Sequence, residues 1–126
     1  MAKILVIEDN PTNMKLTCFL LDKIGHEVIT TIDAEAGIAL ARNENPQLIL
    51  MDIQLPGMNG LAAAELLKKD ISTAHIPIIA VTALAMKMDR EKSLMAGCAD
   101  YIAKPLRYKE LHEVISKHVM HGKFQC

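Results

Sequence analysis

The 126-residue sequence has few aromatic side chains: no tryptophan, two tyrosines and two phenylalanines. Surfaces that stack nucleic-acid bases and roomy ligand pockets both depend on such rings. The formal net charge is only −1, so the chain also lacks the basic field that attracts nucleic acid. These absences argue against direct nucleic-acid binding.

Cysteine is scarce, and long apolar runs are missing. Cys18, Cys98 and Cys126 are odd in number, far apart and outside any CxxC motif, so a disulfide scaffold is not expected. No apolar run approaches the roughly 18 residues that a membrane span needs. Glu8 interrupts the segment in which a signal peptide would remain apolar. We expect a cytoplasmic protein that does not bind membranes.

What the chain does contain is a large apolar fraction, 51%, in a length typical of one domain. We expect a single domain over residues 1–120 and a short tail at 121–126. Five short apolar runs predict buried strands of a parallel sheet, at residues 3–7, 27–32, 48–51, 76–81 and 99–102. Helical patterns lie between them, at about 11–24, 34–43, 61–69, 85–95 and 108–118. Short right-handed connections then predict an α/β fold with a doubly wound, five-stranded parallel sheet.

Turn and capping residues mark the ends of these elements. Asn10 followed by Pro11 is typical of a helix start, and Gly25 of a helix end. Asp33 can cap the second helix. Gly57 and Gly60 lie in a compact loop and are able to take positive φ.

Polar residues follow four of the apolar runs: Glu8 and Asp9, Asp52, Thr82 and Lys104. The carboxyl ends of parallel strands meet at one edge of a sheet, so we expect these side chains to lie together. Three carboxylates crowd one another at a cost, which a hard divalent cation would offset. The sequence therefore predicts a charged functional site at this edge.

These residues, at these intervals, resemble the receiver domain of two-component response regulators. The resemblance rests on Glu8-Asp9, on residues 50–60 around Asp52, on Thr82-Ala83 and on Lys104-Pro105, and it covers essentially the whole chain. It implies a flavodoxin-like fold with strand order 2-1-3-4-5.

The resemblance also assigns roles. Asp52 would be the phosphoacceptor of a phosphorelay, taking a phosphoryl group from a phosphohistidine. Mg²⁺ would be the cofactor, held by Glu8, Asp9, Asp52 and the backbone carbonyl of Ile53. A receiver of this kind carries its own phosphorylation and dephosphorylation chemistry without being an enzyme in the usual sense.

Further roles follow for the phosphate-binding and switch residues. Lys104 would supply positive charge to the phosphoryl group, the Thr82 hydroxyl would donate to it, and the small Ala83 would leave the site open. Tyr101 matches the family's switch aromatic, although an amphipathic tyrosine packed at a sheet edge explains it nearly as well. The bond from Lys104 to Pro105 is expected to be cis.

The resemblance implies two kinds of protein partner. A sensor histidine kinase or histidine phosphotransfer protein would load Asp52 and contact the first helix around Asn13 and Met14. A downstream protein would bind the face formed by the fourth helix, fifth strand and fifth helix. The residues expected on this readout surface are Met86, Lys87, Met88 and Tyr108. We expect a stand-alone receiver, monomeric unless phosphorylation drives dimerisation.

Three alternatives stay open. A Mg²⁺-dependent phosphohydrolase could use the same aspartate, a flavodoxin-like module could bind a cofactor, and an adaptor could work without phosphorylation. Two positions that tune phosphoryl lifetime in the family, Gln54 and Leu84, do not specify a lifetime here. The five histidines suggest no metal set, and those at the carboxyl end (His112, His118, His121) are expected at the surface.

Overall fold

The computed structural model describes residues 2–55, 57–82 and 87–124, without the side chains of 87–90 and 120–124. Its elements are β1 (Lys3–Ile7), α1 (Pro11–Ile24), β2 (Glu27–Thr31), α2 (Ala34–Glu44), β3 (Leu48–Asp52), α3 (Gly60–Lys69), β4 (Ile78–Thr82), α4 (Lys87–Met95), β5 (Asp100–Ala103) and α5 (Tyr108–Phe124). All strand pairs are parallel, in the order β2-β1-β3-β4-β5. The predicted fold class and strand order are confirmed.

Successive strand residues point to opposite faces of the sheet, and both faces are buried. On one face Leu5 and Ile49 pack with side chains of α2 and α3. On the other face Ile4 and Leu50 pack with side chains of α1 and α5. This two-sided burial explains why the central strands are continuous apolar runs without alternation.

Helix ends follow the predicted capping chemistry. The Asn10 side chain accepts a hydrogen bond from the Asn13 N–H, and α1 ends at Gly25 with φ 101°. The Asp33 side chain caps α2 in the same way. Helix α5 runs on to Phe124 and does not end near His118 as predicted, because the lone glycine in this stretch costs only about 1 kcal/mol in a helix interior.

Two strands extend into the functional residues. Asp52 is the last residue of β3 and pairs with Val81, and Thr82 is the last residue of β4 and pairs with Ala103. Strand β4 begins at Ile78, two residues later than predicted, because Ile76 instead closes a turn onto Thr73. Sheet pairing therefore fixes the backbone of Asp52 and Thr82 directly.

Helix α1 buries a narrower stripe than its apolar pattern suggests. Thr17, Leu20 and Leu21 are buried, whereas Phe19 is 58% exposed and Leu16 is also exposed. Met14 and Ile24 are partly buried against the core, so Leu16 and Phe19 are the apolar residues of α1 that face solvent. They stay available at the surface.

His118, which was expected at the surface, is only partly exposed and has an acidic partner. Its Nε2 lies 3.0 Å from Asp100 Oδ2, and its side chain is 18% exposed. The contact joins α5 to the start of β5, a long-range relation that sequence spacing does not reveal. Cys18 and Cys98 are free thiols. Among the described residues, no helix is long and apolar enough to cross a membrane.

Candidate functional site

Three carboxylates converge at the carboxyl edge of the sheet, as the strand order requires. Glu8 and Asp9 follow β1, and Asp52 ends the neighbouring strand β3. One carboxylate oxygen from each lies within 4.8 Å of the others. Glu8 and Asp52 are each only 4% exposed, while Asp9 faces solvent. The arrangement places concentrated negative charge where water is largely excluded.

Lys104 bridges the two buried acids. Its Nζ lies 2.9 Å from Glu8 Oε1 and 3.0 Å from Asp52 Oδ2. The side chain reaches them from the end of β5, across the end of β4, where the Lys104 N–H also donates to the Thr82 carbonyl at 2.7 Å. The lysine supplies one positive charge to a site with three carboxylates.

Burial and pairing shift the ionisation of this cluster. Burial raises the pKa of Glu8 above its ordinary value, and the hydrogen bonds from Lys104 and the Asn10 N–H only partly oppose this rise. Burial acts to lower the pKa of Lys104, but its hydrogen bonds to Glu8 and Asp52 outweigh this and leave that pKa raised. The protein environment therefore disfavours the ionised form of Glu8 and favours the protonated, cationic form of Lys104.

Backbone donors fix the orientation of both buried carboxylates. The Asn10 N–H donates to Glu8 Oε2 at 3.1 Å, and the Gln54 N–H donates to Asp52 Oδ1 at 2.9 Å. Each carboxylate thus has one oxygen on a backbone amide and the other on Lys104. The rotamers are set before any ligand arrives.

The other predicted site residues that the structure describes belong to β4, β5 and the residues after β5. Thr82 is fully buried at the end of β4. Tyr101 is half-buried on β5, where it pairs with Ala80. The peptide bond from Lys104 to Pro105 is cis. Ala83 lies outside the described residues.

The donor set suits a hard divalent cation. Glu8, Asp9 and Asp52 provide carboxylate oxygens, and Ile53 follows directly with a backbone carbonyl. Oxygen ligands of this kind are those that Mg²⁺ binds in proteins, usually with several waters retained. Burial, and to a smaller extent the neighbouring Asp52 carboxylate, raises the pKa of Glu8, and a bound cation would favour its ionised form. These residues could therefore hold the metal.

Gly57 and Gly60, between β3 and the first turn of α3, are required for different structural reasons. Gly57 takes φ 73°, as predicted. Gly60 does not have a positive φ; it is the first residue of α3, pressed against the backbone of Asp52 and Ile53. Gly60 was predicted in the loop but begins α3, and close approach to the backbone, rather than a positive φ, requires glycine there.

A cavity of about 570 Å³ opens beside the acidic cluster, along α1. Its lining includes the acids Glu8 and Asp9 and the side chains of Met14, Cys18 and Ile32. Met14 packs partly against the core, and Ile32 is 65% exposed. Sequence reasoning missed Ile32. The signal was an apolar residue directly after β2, at the edge where the other strands end in or are followed by polar residues.

The structure describes only part of the predicted readout surface. Met86 lies outside the described residues, as do the side chains of Lys87 and Met88. Tyr108 begins α5, is 46% exposed and stacks on His112 with ring centroids 6.2 Å apart.

Comparison with known proteins agrees with this geometry. Residues 4–116 match the family described as the response regulator receiver domain. The polar-differentiation response regulator DivK of Brucella ovis is 44% identical over 116 residues, which cover 92% of this chain and 94% of that protein. DivK of Brucella melitensis matches equally well.

Solved structures show the same architecture. The receiver domain of the sensor histidine kinase PA1611 from Pseudomonas aeruginosa, which has a magnesium ion coordinated in its active site cleft, is 34% identical. The match covers 94% of this chain and 98% of that one, with a TM-score of 0.88. A second match comes from the Saccharomyces cerevisiae co-crystal structure of the histidine phosphotransfer protein Ypd1 with the receiver domain of Ssk1. It is 28% identical, covers 95% of this chain and 90% of that one, and has a TM-score of 0.86. The chain belongs to the response regulator receiver domain family of two-component systems.

Proposed function

We propose that this protein is a phosphoacceptor switch in which Asp52 receives a phosphoryl group from a phosphohistidine. The observation that supports it best is the arrangement around Asp52. A buried carboxylate is hydrogen-bonded by Lys104 and the Gln54 N–H, with two further acids within 4.8 Å. A purely structural carboxylate would not need two acidic neighbours, whose repulsion costs stability.

The chemistry follows from the groups present. An Asp52 oxygen attacks phosphorus, an O–P bond forms, and the N–P bond breaks with its electron pair remaining on the imidazole. Phosphoryl transfer depends on in-line positioning and on neutralising the phosphoryl oxygens. Bound Mg²⁺, held by Glu8, Asp9, Asp52 and the Ile53 carbonyl, would supply most of that neutralising charge.

Lys104 and Thr82 serve the product state. Lys104 Nζ already lies 3.0 Å from Asp52 Oδ2, so it can donate a charge-assisted hydrogen bond to a phosphoryl oxygen attached there. The buried Thr82 hydroxyl is the candidate donor on the next strand, with Ala83 leaving room for the group. Tyr101 on β5 is the candidate switch side chain, which would turn inward when Thr82 moves toward the phosphoryl group.

The cavity along α1 is the proposed docking site for the phosphodonor. Its acidic end is formed by the same Glu8 and Asp9 that would hold the metal, so a protein that delivers phosphorus to Asp52 must cover it. Exposed Ile32 and the rim residue Met14 provide apolar contact area. A histidine phosphotransfer protein, such as the one seen with the Ssk1 receiver, or a histidine kinase would be the partner.

The readout is proposed to lie on α4, β5 and α5. Exposed Tyr108 is its visible anchor, with Met86, Lys87 and Met88 as further candidates. Phosphorylation would shift a two-state equilibrium of this face, which then binds a downstream protein.

One experiment tests the central claim. The protein is incubated with Mg²⁺ and acetyl phosphate, and its mass is measured by electrospray for wild type, Asp52→Asn and Asp33→Asn. We expect one phosphoryl adduct in wild type and Asp33→Asn and none in Asp52→Asn. Asp33→Asn is a matched control because it changes an aspartate that caps α2, with asparagine an equally good cap.

Other results would point elsewhere. Absence of an adduct in wild type with Mg²⁺ present removes the proposed chemistry and leaves a phosphorylation-independent adaptor. Continuous release of phosphate from assorted monoesters would instead indicate a phosphohydrolase.

A further inference from the structure

Asp100 begins β5, which lies at one edge of the sheet, and both of its carboxylate oxygens have partners. Its Oδ1 accepts a hydrogen bond from the N–H of Tyr101, the next residue, at 2.9 Å. Its Oδ2 lies 3.0 Å from His118 Nε2 on α5, and the Lys117 ammonium lies 3.8 Å from the same oxygen. One carboxylate therefore joins α5 to the backbone of the candidate switch residue.

The charge of Asp100 fixes the direction of these hydrogen bonds. Burial acts to raise the pKa of Asp100, but the hydrogen bonds from His118 and the Tyr101 N–H outweigh this and leave that pKa below its ordinary value. The carboxylate is thus ionised at neutral pH and can only accept hydrogen bonds. The donor in the contact with α5 is therefore the Nε2–H group of His118.

Apolar packing between β5 and α5 does not by itself fix how the helix lies along the strand. Ile115 and Val119 of α5 belong to the same buried cluster as Ile102 of β5. Such contacts are non-directional, whereas a hydrogen bond depends on the distance and angle between its two groups. The contact between His118 and Asp100 therefore supplies a directional link between the helix and the strand.

The two ends of β5 contact different parts of the molecule. Lys104, directly after the strand, contacts the Asp52 carboxylate, and Asp100 at the start of the strand contacts α5. We infer that His118 is a positioning residue of the switch: through Asp100 it ties α5 to the backbone of Tyr101, so that a change at Tyr101 reaches the helix. This inference rests on the proposed function, in which phosphorylation of Asp52 moves Tyr101 and α5 belongs to the readout face.

The test follows two backbone amides while a phosphoryl mimic is added. Protein labelled with ¹⁵N-tyrosine and ¹⁵N-valine is titrated with beryllofluoride in the presence of Mg²⁺ and observed by NMR. The Tyr101 amide reports the switch, and the Val119 amide reports α5 next to His118. His118→Leu removes the hydrogen-bond donor, and His118→Gln provides an N–H at the same ε position of the side chain.

Lys117→Met is the matched control. It removes the other cation near Asp100 Oδ2, but that ammonium lies 3.8 Å away on a side chain that is 71% exposed, so no hydrogen bond is lost. Urea unfolding of each variant measures its stability separately. A general loss of structure is therefore not mistaken for a loss of coupling between β5 and α5.

We expect the Tyr101 and Val119 amide resonances to shift in wild type, in Lys117→Met and in His118→Gln. In His118→Leu, the Tyr101 shift should remain and the Val119 shift should be lost. A Val119 shift in His118→Leu equal to that of wild type would overturn the inference, as would its loss in Lys117→Met.

The failure of the inference differs from the failure of the proposed function. A wild-type protein in which Tyr101 shifts and Val119 does not would reject the inference alone. A wild-type protein in which neither amide shifts would reject the proposed switch together with the inference.

Asp100→Ala tests the same link from the strand if His118→Leu does not fold. It deletes the acceptor and leaves the imidazole in place. Loss of the Val119 shift with the Tyr101 shift retained supports the inference, and a retained Val119 shift rejects it.

Discussion

The two edges of the sheet carry similar charged residues in very different surroundings. At the carboxyl edge, the side chains of Glu8, Asp52 and Lys104 are 5%, 4% and 14% exposed, and Lys104 Nζ lies within 3.0 Å of both carboxylates. Removing charges from water to this degree is costly, and mutual attraction repays it only in part.

Two ion pairs near the amino edge are considerably more exposed. Lys3 contacts Glu44 at 3.4 Å with side chains 33% and 44% exposed. Arg42 contacts Asp70 at 2.6 Å, and its side chain is 53% exposed. Pairs of this kind contribute about 0–1 kcal/mol each.

The difference shows that the carboxyl edge sacrifices stability in order to hold the charged groups of the candidate site. An amino edge built for stability needs no buried charge, whereas a phosphoryl and metal site needs preorganised charges away from water. Changes at the carboxyl edge should therefore alter stability strongly and in a metal-dependent way, and changes at the amino edge should not.

The largest expected effect is that of Lys104→Met in metal-free buffer. It leaves two buried carboxylates without their shared cation, and breaking a buried pair in this way costs about 3 kcal/mol or more. The free energy of unfolding from urea titration measures it. A loss under about 1 kcal/mol would show that the carboxyl edge behaves like an exposed pair.

Added Mg²⁺ should have the next largest effect. A cation that binds only the folded state stabilises it by about 2.7 kcal/mol at 100 times its dissociation constant. We expect this gain in wild type and a much smaller one in Asp52→Asn, which lacks one of the three carboxylates. Melting temperatures with Mg²⁺, and with NaCl at equal ionic strength as the control, provide the measurement. Equal gains from both salts would contradict a specific metal site.

Much of the carboxyl edge was predictable from the sequence, because the site residues lie at or directly after the ends of the strands. The apolar runs ending in Glu8, Asp52, Thr82 and Lys104 defined the strands, and parallel pairing brings their ends together. The spacing of these residues in the sequence could not predict which side chains contact one another. The bridge from Lys104 to both acids crosses β4, and it depends on strand order and side-chain length together.

The errors of sequence reasoning have the same origin. His118 was expected at the surface, yet it pairs with Asp100, a partner set by how α5 crosses β5. Gly60 was predicted to lie in a compact loop, yet it begins α3, and a side chain there would meet the backbone of Asp52. In both cases local sequence preferences could not predict the result, because the position of the residue is set by an element distant in sequence or by backbone packing.

The pH dependence of stability should have opposite signs at the two edges. In the absence of metal, the raised pKa of Glu8 favours its protonated form in the folded state. Its ionisation therefore costs stability above that pKa, and the cost disappears as the pH falls to the ordinary value of 4.5. Glu8→Gln should accordingly be more stable than wild type at pH 7 in EDTA and lose that advantage by pH 4.5.

Asp70 provides the contrast. Hydrogen bonds from Ser72, and then from Arg42, lower its pKa from 3.8 to about 2. Its ionised form stabilises the fold above pH 3.8, and this contribution is lost as the pH falls through about 2. Asp70→Asn should thus be less stable than wild type at pH 7 and equal to it at the acid end. Urea unfolding across this pH range would reject the comparison if both variants shifted in the same direction.

The smallest expected effect is that of Lys3→Met at the amino edge. Its partner Glu44 stays solvated when the lysine is removed, so the lost attraction is screened and should amount to less than about 1 kcal/mol. The urea unfolding midpoint should move little, and it should respond equally with and without Mg²⁺, since Lys3 lies at the opposite edge from Glu8 and Asp52. A metal-dependent change in Lys3→Met would mean that the two edges are energetically coupled, and the separation between a stabilising edge and a chemical edge would then fail.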